Sequence, residues 1–485
     1  MLLFHTIADI IVWEVSIMPV NSFVDYPMSW KPEKDILKRP IYQSLAAKLE
    51  EDIMNGFLAP DTQLPPQREL ADYLDINFTT VTKAYKIAEQ RGLVYAVTGR
   101  GTFVSPTLKG VDAVSAKEVP RNIIDLAPVS SFEHTNSRIV ECAKKTLDKR
   151  YAEQLMNYYN PYGMPHQIQA GIYWLKQFGI ETDPEHTIIS SGAQNGIAIS
   201  LLGLFEPGDR IAVESFSYSN FLELAKRYGI RLISIACDHM GMLPGELDAA
   251  CKKSRIKGIF LMPSCSNPTS VVTTPRRRSA LAAVIEHHNM IVIEDDAYAF
   301  ISLEGDTRFG DPLQTLVPER TIYIASVSKP ICSGLRTAYL VFPDRYKTKI
   351  ESASTDLNIK TSSLDADVVT EAILSGAAYD IMKVKLKLAK QANAIYSDIF
   401  DPLACIGHPN SLFRWLPIKP VKDFHELEQQ LLDRGIKIFH SARFLAGPSL
   451  PEQYLRVSLT AARDLKELRR GLTLLRDTLR ELGLT

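Results

Sequence analysis

No Cys-x-x-Cys pair occurs in this chain; its six cysteines stand singly at positions 142, 237, 251, 265, 332 and 405. Scattered thiols exclude a zinc site built on such pairs and suit a reducing, cytoplasmic compartment. The ten histidines are equally dispersed, so no metal is expected. No apolar run is long enough to cross a bilayer, and a membrane partner is not expected. Net charge is nearly absent too: the formal balance is −1, so no global field draws the chain to nucleic acid. Any DNA contact must come from a local patch. Internal repeats and low-complexity tracts are also missing. Residues 1–13 are apolar but lack a cationic start, Asp9 interrupts them and Glu14 follows directly, which argues against a signal peptide. Met18 is the expected natural start, with the preceding residues an extension or an arm.

What is there is ordinary globular material, 46% apolar and 23% charged over 485 residues, enough for two or three domains. Composition and periodicity divide it into an N-terminal arm (1–36), a compact unit (37–105), a linker without sustained periodicity (106–122) and a large remainder (123–485).

In the compact unit, Ile41, Leu45, Leu49 and Ile53 make an apolar helical stripe that closes at Asn55-Gly56. A second helix starts after Leu64-Pro-Pro, where proline's missing N–H does no harm. Asp75-Ile-Asn77 is a turn, and 79–90 a third helix with Val81, Ala84, Tyr85 and Ala88 inward. Two short strands, 93–97 and 102–104, flank the turn Thr98-Gly-Arg-Gly101. With its Leu-Pro-x-x-Arg-x-Leu-Ala and Gly-x-Gly-Thr-Phe-Val signatures, this block resembles the GntR-type winged helix-turn-helix. The resemblance implies a third helix in the major groove and a wing tip at the minor groove. It assigns DNA contacts to Arg68, Thr79, Thr80, Thr82, Lys83, Arg100 and Gly101. Residues 31–105 hold ten Lys/Arg against ten Asp/Glu, so one copy should grip DNA modestly. Phe78 stands where many relatives carry arginine.

From residue 123 strands and helices alternate, the pattern of a mainly parallel α/β sheet covered on both faces. Strands are expected at 187–190, 210–213, 231–235, 258–262, 290–294, 321–325 and 338–341, with a small α+β end region from about 403 to 485. The fold class expected is multidomain: an α+β winged unit followed by an α/β unit.

Several residues carry chemistry. Lys329 follows an apolar run, at the carboxyl end of a buried strand, where partial desolvation makes an amine a Schiff-base nucleophile. Ser326 and Arg336 supply a hydroxyl and a cation suited to a phosphate. Gly192, Ala193 and Gln194 join a strand to a helix whose first N–H groups suit the same anion. Asp295 ends an apolar strand, Tyr298 follows three positions later, and Lys329 lies 34 positions (329 − 295) beyond Asp295. Arg456, between Leu455 and Val457, needs an anion, either a ligand's carboxylate or an internal one.

In order and spacing, these motifs resemble those of fold-type I pyridoxal-phosphate enzymes, the aspartate aminotransferase superfamily, over residues 123–485. The resemblance implies pyridoxal 5′-phosphate held by Lys329 as a Schiff base, with Asp295 on the ring nitrogen. Asn267 and Tyr298 are implied at the phenolic oxygen, and Tyr218, or Phe216, on the ring face. Arg456 is implied for the carboxylate of an amino acid or amine effector, and Tyr158 for the phosphate of a partner in a homodimer. Ser270 and Ile168 depart from the usual glycine and arginine.

A winged helix ahead of such a domain is the architecture of MocR-type regulators. It implies a transcription factor that binds operator DNA and senses the cofactor, an effector amine, or both, through an external aldimine at Lys329. The alternative is a working aminotransferase with an accessory DNA-binding domain.

Overall fold

The computed structural model describes residues 28–55, 57–58, 62–91, 93–97, 99–104, 122–304, 309–400, 407–447 and 451–485. Most of the expected arm with Met18, nearly all of the linker, Thr98 of the wing turn and Cys405 lie outside the described residues. The chain divides into two compact units, residues 1–112 and 113–485.

The first unit has three helices, α1 (Ile41–Met54), α2 (Gln67–Leu74) and α3 (Phe78–Gln90), and a hairpin of β1 (Val94–Val97) and β2 (Gly101–Val104). The hairpin is antiparallel, with Val94 opposite Val104 and Val97 opposite Gly101. Leu45, Leu49 and Ile53 of α1 meet Val81, Ala84, Tyr85 and Ala88 of α3 in one core. Asp75, at φ 49, ends α2 in the left-handed region. The helix α3 starts one residue before the position that spacing suggests. Its cap is Asn77, whose Oδ1 accepts the Thr79 N–H at 2.8 Å. Phe78 thereby joins the first turn. Trp30, which the sequence places in the arm, is buried in this core, and its indole N–H donates to Asp52 Oδ2 at 2.8 Å. A buried indole whose one donor is satisfied belongs to the fold rather than to a tail.

The second unit is built on a seven-stranded sheet: β3 (Thr187–Ser190), β4 (Arg210–Glu214), β5 (Arg231–Ile235), β6 (Gly258–Leu261), β7 (Ile291–Asp295), β8 (Thr321–Ser326) and β9 (Ala338–Val341). All seven expected strands are present, with ends shifted by a residue at most. Their spatial order is β3-β9-β8-β7-β6-β4-β5, and β9 runs antiparallel to both neighbours. Register then fixes which residues meet. Asp295 lies opposite Ile324, Ser326 opposite Ala338, and Ala338 opposite Ser190. The carboxyl ends of β3, β7 and β8 and the start of β9 therefore share one edge, where open α/β sheets place their ligands.

Three further helices matter: α4 (Ala193–Leu204), α5 (Ala377–Ile399) and α6 (Leu465–Glu481). The end region carries an antiparallel sheet of β10 (Phe413–Ile418), β11 (Phe439–His440) and β12 (Gln453–Ser458), with β12 central. Its core also takes in Ile124, Leu126, Tyr396 and Phe400, residues that precede it in sequence. The Ile124 N–H donates to Gly435 O and the Ser458 N–H to Leu126 O, each at 2.8 Å. The start of this unit is thus stitched to its end. Among the described residues no helix is long and apolar enough to cross a membrane.

Candidate cofactor pocket and nucleic-acid surface

At the shared sheet edge lies a cavity of about 400 Å³ lined by Ala193, Gln194, Tyr218, Asn267, Asp295, Tyr298, Ser326, Lys329, Arg336 and Arg456. Residues far apart in sequence converge there because strand ends carry them.

Strand alternation explains how β7 presents its acids. Glu294, Asp295 and Asp296 are consecutive, and side chains along a strand point to opposite faces in turn. Glu294 faces away and accepts the Leu313 and Gln314 N–H groups, each at 2.9 Å. Asp296 accepts the Tyr323 hydroxyl at 3.1 Å. Asp295 alone of the three lines the cavity, buried, with Oδ1 lacking any partner. Burial, with the neighbouring Asp296 charge, pushes its carboxyl up to about 7.

Lys329 sits beyond the end of β8, and its amine donates to the Val129 carbonyl. Burial, together with the Arg456 and Arg336 cations, brings the amine down to about 8 against the pull of Glu133. Beside it, Ser326 Oγ accepts the Ser328 N–H at 3.2 Å, and Ser328 Oγ accepts from Arg336 Nη1 at 3.2 Å. Arg336 and Gly192 are fitted to one another. Gly192 adopts φ +83, and a Cβ there would lie 2.5 Å from Arg336 Nη2. Only glycine lets this guanidinium lie over the start of α4, where N–H groups and helix dipole favour an anion.

Arg456 comes from β12, buried, with its guanidinium over the Phe444 ring at 4.6 Å and the Phe439 ring at 5.7 Å. Nη1 donates to Asn267 Oδ1 at 3.0 Å and Nη2 to Ala127 O at 2.6 Å, while Nε has no partner. Both acceptors are neutral, and among the described residues no carboxylate pairs with this buried cation. Tyr218 lines the cavity, whereas Phe216 packs edge-on against Trp415 at 5.3 Å. Tyr298 is buried edge-on to Phe413 at 5.4 Å. Ser270, the residue at a glycine position, holds φ +59, and its hydroxyl donates to Phe413 O at 2.9 Å.

Tyr158 does not reach this cavity: it is 80% exposed on the surface. Sequence reasoning missed Val129, Asn220 and Ser328, which also line the cavity. It missed Lys385 as well. On α5 that lysine falls within the inward stripe Ile381, Met382, Leu386 and Ala389, a phase that could have betrayed it. Its ammonium donates to Ser131 Oγ at 3.1 Å, Lys329 O at 3.2 Å and Ile331 O at 2.6 Å, tying the Lys329 turn to α5.

The donors fit pyridoxal 5′-phosphate. The unpartnered Asp295 oxygen suits a pyridinium N–H, the Gly192–Arg336 cradle and serines suit the phosphate, and the Lys329 amine suits the aldehyde.

In the first unit Arg68, Thr79, Lys83, Arg100 and Gly101 are exposed, and Thr80 and Thr82 are half-buried. The Arg68 guanidinium lies 5.8 Å from the Phe78 ring centre, and the Lys83 ammonium 5.8 Å from that of Tyr42. The Thr79 hydroxyl donates to Asn77 Oδ1 at 2.7 Å and the Thr82 hydroxyl to Gln67 Oε1 at 2.8 Å. At the wing tip, Gln63 Nε2 donates to Arg100 O at 2.7 Å, beside Gly99 and Gly101 at φ 77 and 114.

Comparison with known proteins matches both units to known families. Residues 41–104 match the bacterial regulatory proteins of the gntR family, and residues 123–475 match aminotransferase class I and II. The uncharacterized HTH-type transcriptional regulator YdeF of Bacillus subtilis is 34% identical over 96% of this chain and 100% of its own length. The HTH-type transcriptional regulator TauR of Rhodobacter capsulatus is 26% identical over 81% of this chain and 87% of its own. Among solved structures, the Pyrococcus horikoshii kynurenine aminotransferase superposes with a TM-score of 0.69 at 21% identity, covering 75% of this chain and 92% of that one. The α-aminoadipate aminotransferase LysN of Thermus thermophilus gives 0.66 at 22% identity, covering 75% and 93%. These structural likenesses establish the fold. With a winged helix and an aminotransferase fold in one chain, and a relative matched from end to end, the chain belongs to the MocR-type transcriptional regulators of the GntR family.

Proposed function

We propose that this regulator binds operator DNA through α3 and the wing, and that pyridoxal phosphate and an amino acid or amine meet in the second unit's cavity to set that binding. The observation that carries the reading is one cavity holding a lysine amine brought down to about 8 and, among the described residues, a buried carboxylate oxygen without a partner and a buried arginine without an acidic one. When bound, the cofactor supplies an aldehyde that exchanges between amines, and an electron-withdrawing ring.

The chain's own groups do the rest. Asp295 would accept a hydrogen bond from the protonated ring nitrogen, which would give its charge a partner. Arg336, the serines and the start of α4 would hold the phosphate. Lys329 would supply the amine for the aldehyde, and Arg456 would receive the carboxylate of an incoming amino acid. Because Arg456 sits on β12, a carboxylate bound there draws the end region toward the large sheet. Closure matters only if the closed form favours one arrangement of the DNA-binding units, since differential affinity alone shifts an equilibrium.

A homodimer completes the reading, with twofold-related readers on two half-sites. Tyr158, exposed beside Met156 and Tyr159, suits a partner's phosphate. The compartment is the cytoplasm, where operator DNA and free thiols coexist. The test is operator affinity with and without candidate amines, on cofactor-loaded protein. An affinity unmoved by every amine that alters the visible absorption band would overturn the sensing role.

Asp295, Lys329 and Arg456 together also support catalytic transamination. Steady-state turnover would favour the enzyme reading, and a single half-reaction the sensor.

A further inference from the structure

We propose that Phe78 reads the 5-methyl group of a thymine in the operator's major groove, beside a base edge taken by Arg68; this rests on the DNA-binding reading above. Phe78 opens α3 and is 42% exposed. The side chain laid across its ring is the Arg68 guanidinium, 5.8 Å from the ring centre. Of the neighbouring hydroxyls, Thr79 donates to Asn77 Oδ1 and Thr82 to Gln67 Oε1. At this end of the helix an aromatic ring and a cation face outward together, beside the exposed Thr79.

A recognition helix offers its N-terminal residues to base edges. In the major groove, the apolar feature that a phenyl ring can recognise is thymine's methyl group. A guanidinium stacked on an aromatic ring keeps its in-plane donors free, the geometry that suits guanine O6 and N7. The unit's balance of ten cations against ten anions, counted over residues 31–105, limits sequence-independent attraction. Direct contacts of this kind must then carry more of the discrimination.

The experiment uses full-length protein to select its preferred duplex from a random-sequence pool. Each thymine of that duplex is then replaced by deoxyuridine, which lacks only the 5-methyl group. At one thymine of the site the unaltered protein should bind the uracil duplex about fourfold more weakly, the worth of one buried methyl. Phe78→Ala protein should bind both duplexes equally there and keep its preferences elsewhere. Equal uracil discrimination by the two proteins, or none at any thymine, overturns the proposal. Failure to select any duplex overturns the DNA-binding reading instead. Phe78→Arg, whose expected preference at that position turns to guanine, decides the matter should the alanine chain not fold.

Discussion

The two candidate surfaces are assembled in opposite ways. The residues proposed to face DNA lie between Arg68 and Gly101, on one helix-turn-helix and its hairpin, near caps, turns and left-handed residues a few positions away. The cavity draws on residues from Pro128 to Arg456, placed by strand register and by an end region stitched to the start of its unit. Locally placed residues are expected to fail one at a time. Residues placed by register share their neighbours, so a change at one is felt by the others.

The largest expected effect tests the cavity. Lys329→Ala protein should lack the visible absorption band of lysine-bound cofactor entirely, while the cofactor-free chain still shifts its DNA. An unchanged band would remove Lys329 from its role. Next come the reader's cations. Arg68→Ala should weaken operator binding about tenfold and relax the preference at one base pair, and Lys83→Ala should weaken it about tenfold and lower the salt slope by about one, both leaving the absorption band alone. Operator shifts unaffected in both would take these two residues off the DNA.

A smaller effect sharpens the claim that cavity residues are shared. Removing the Lys385 ammonium leaves Ser131 Oγ, Lys329 O and Ile331 O without this donor. Lys385→Met should cost about 1–3 kcal/mol, read as a thermal midpoint lowered by a few degrees. It should also move the pH midpoint of the absorption band, which a purely structural residue would leave in place. The smallest effect is one of pH. Lys329 is shifted down to about 8, so its neutral, nucleophilic form predominates above that pH and is protonated below it. Cofactor capture by apoprotein should therefore quicken from pH 7 to 9, half-maximal near 8. A midpoint near the ordinary lysine value of 10.5 would mean that the amine is solvated.

Much of this was legible beforehand, for a physical reason. Apolar runs bounded by turns mark strands wherever burial on both faces demands them, so the seven sheet strands were readable from 187 to 341. The helix-turn-helix stripes were readable because the three helices bury one face each. Trp30 was not, because a lone indole ahead of any periodicity carries no local signal. Lys385 was overlooked because a lysine in a helix is ordinarily solvated, and its burial depends on carbonyls supplied by the Lys329 turn.

The order of elements, the residue types at strand ends and the winged-helix signatures are fixed in the chain itself, since they depend on periodicity and turn chemistry within short windows. Which acid of the three faces the cavity, which serine meets Arg336, and that Arg456 meets no acid among the described residues were settled only by the fold. Those facts depend on strand phase, register and packing between segments hundreds of residues apart, to which no short window has access.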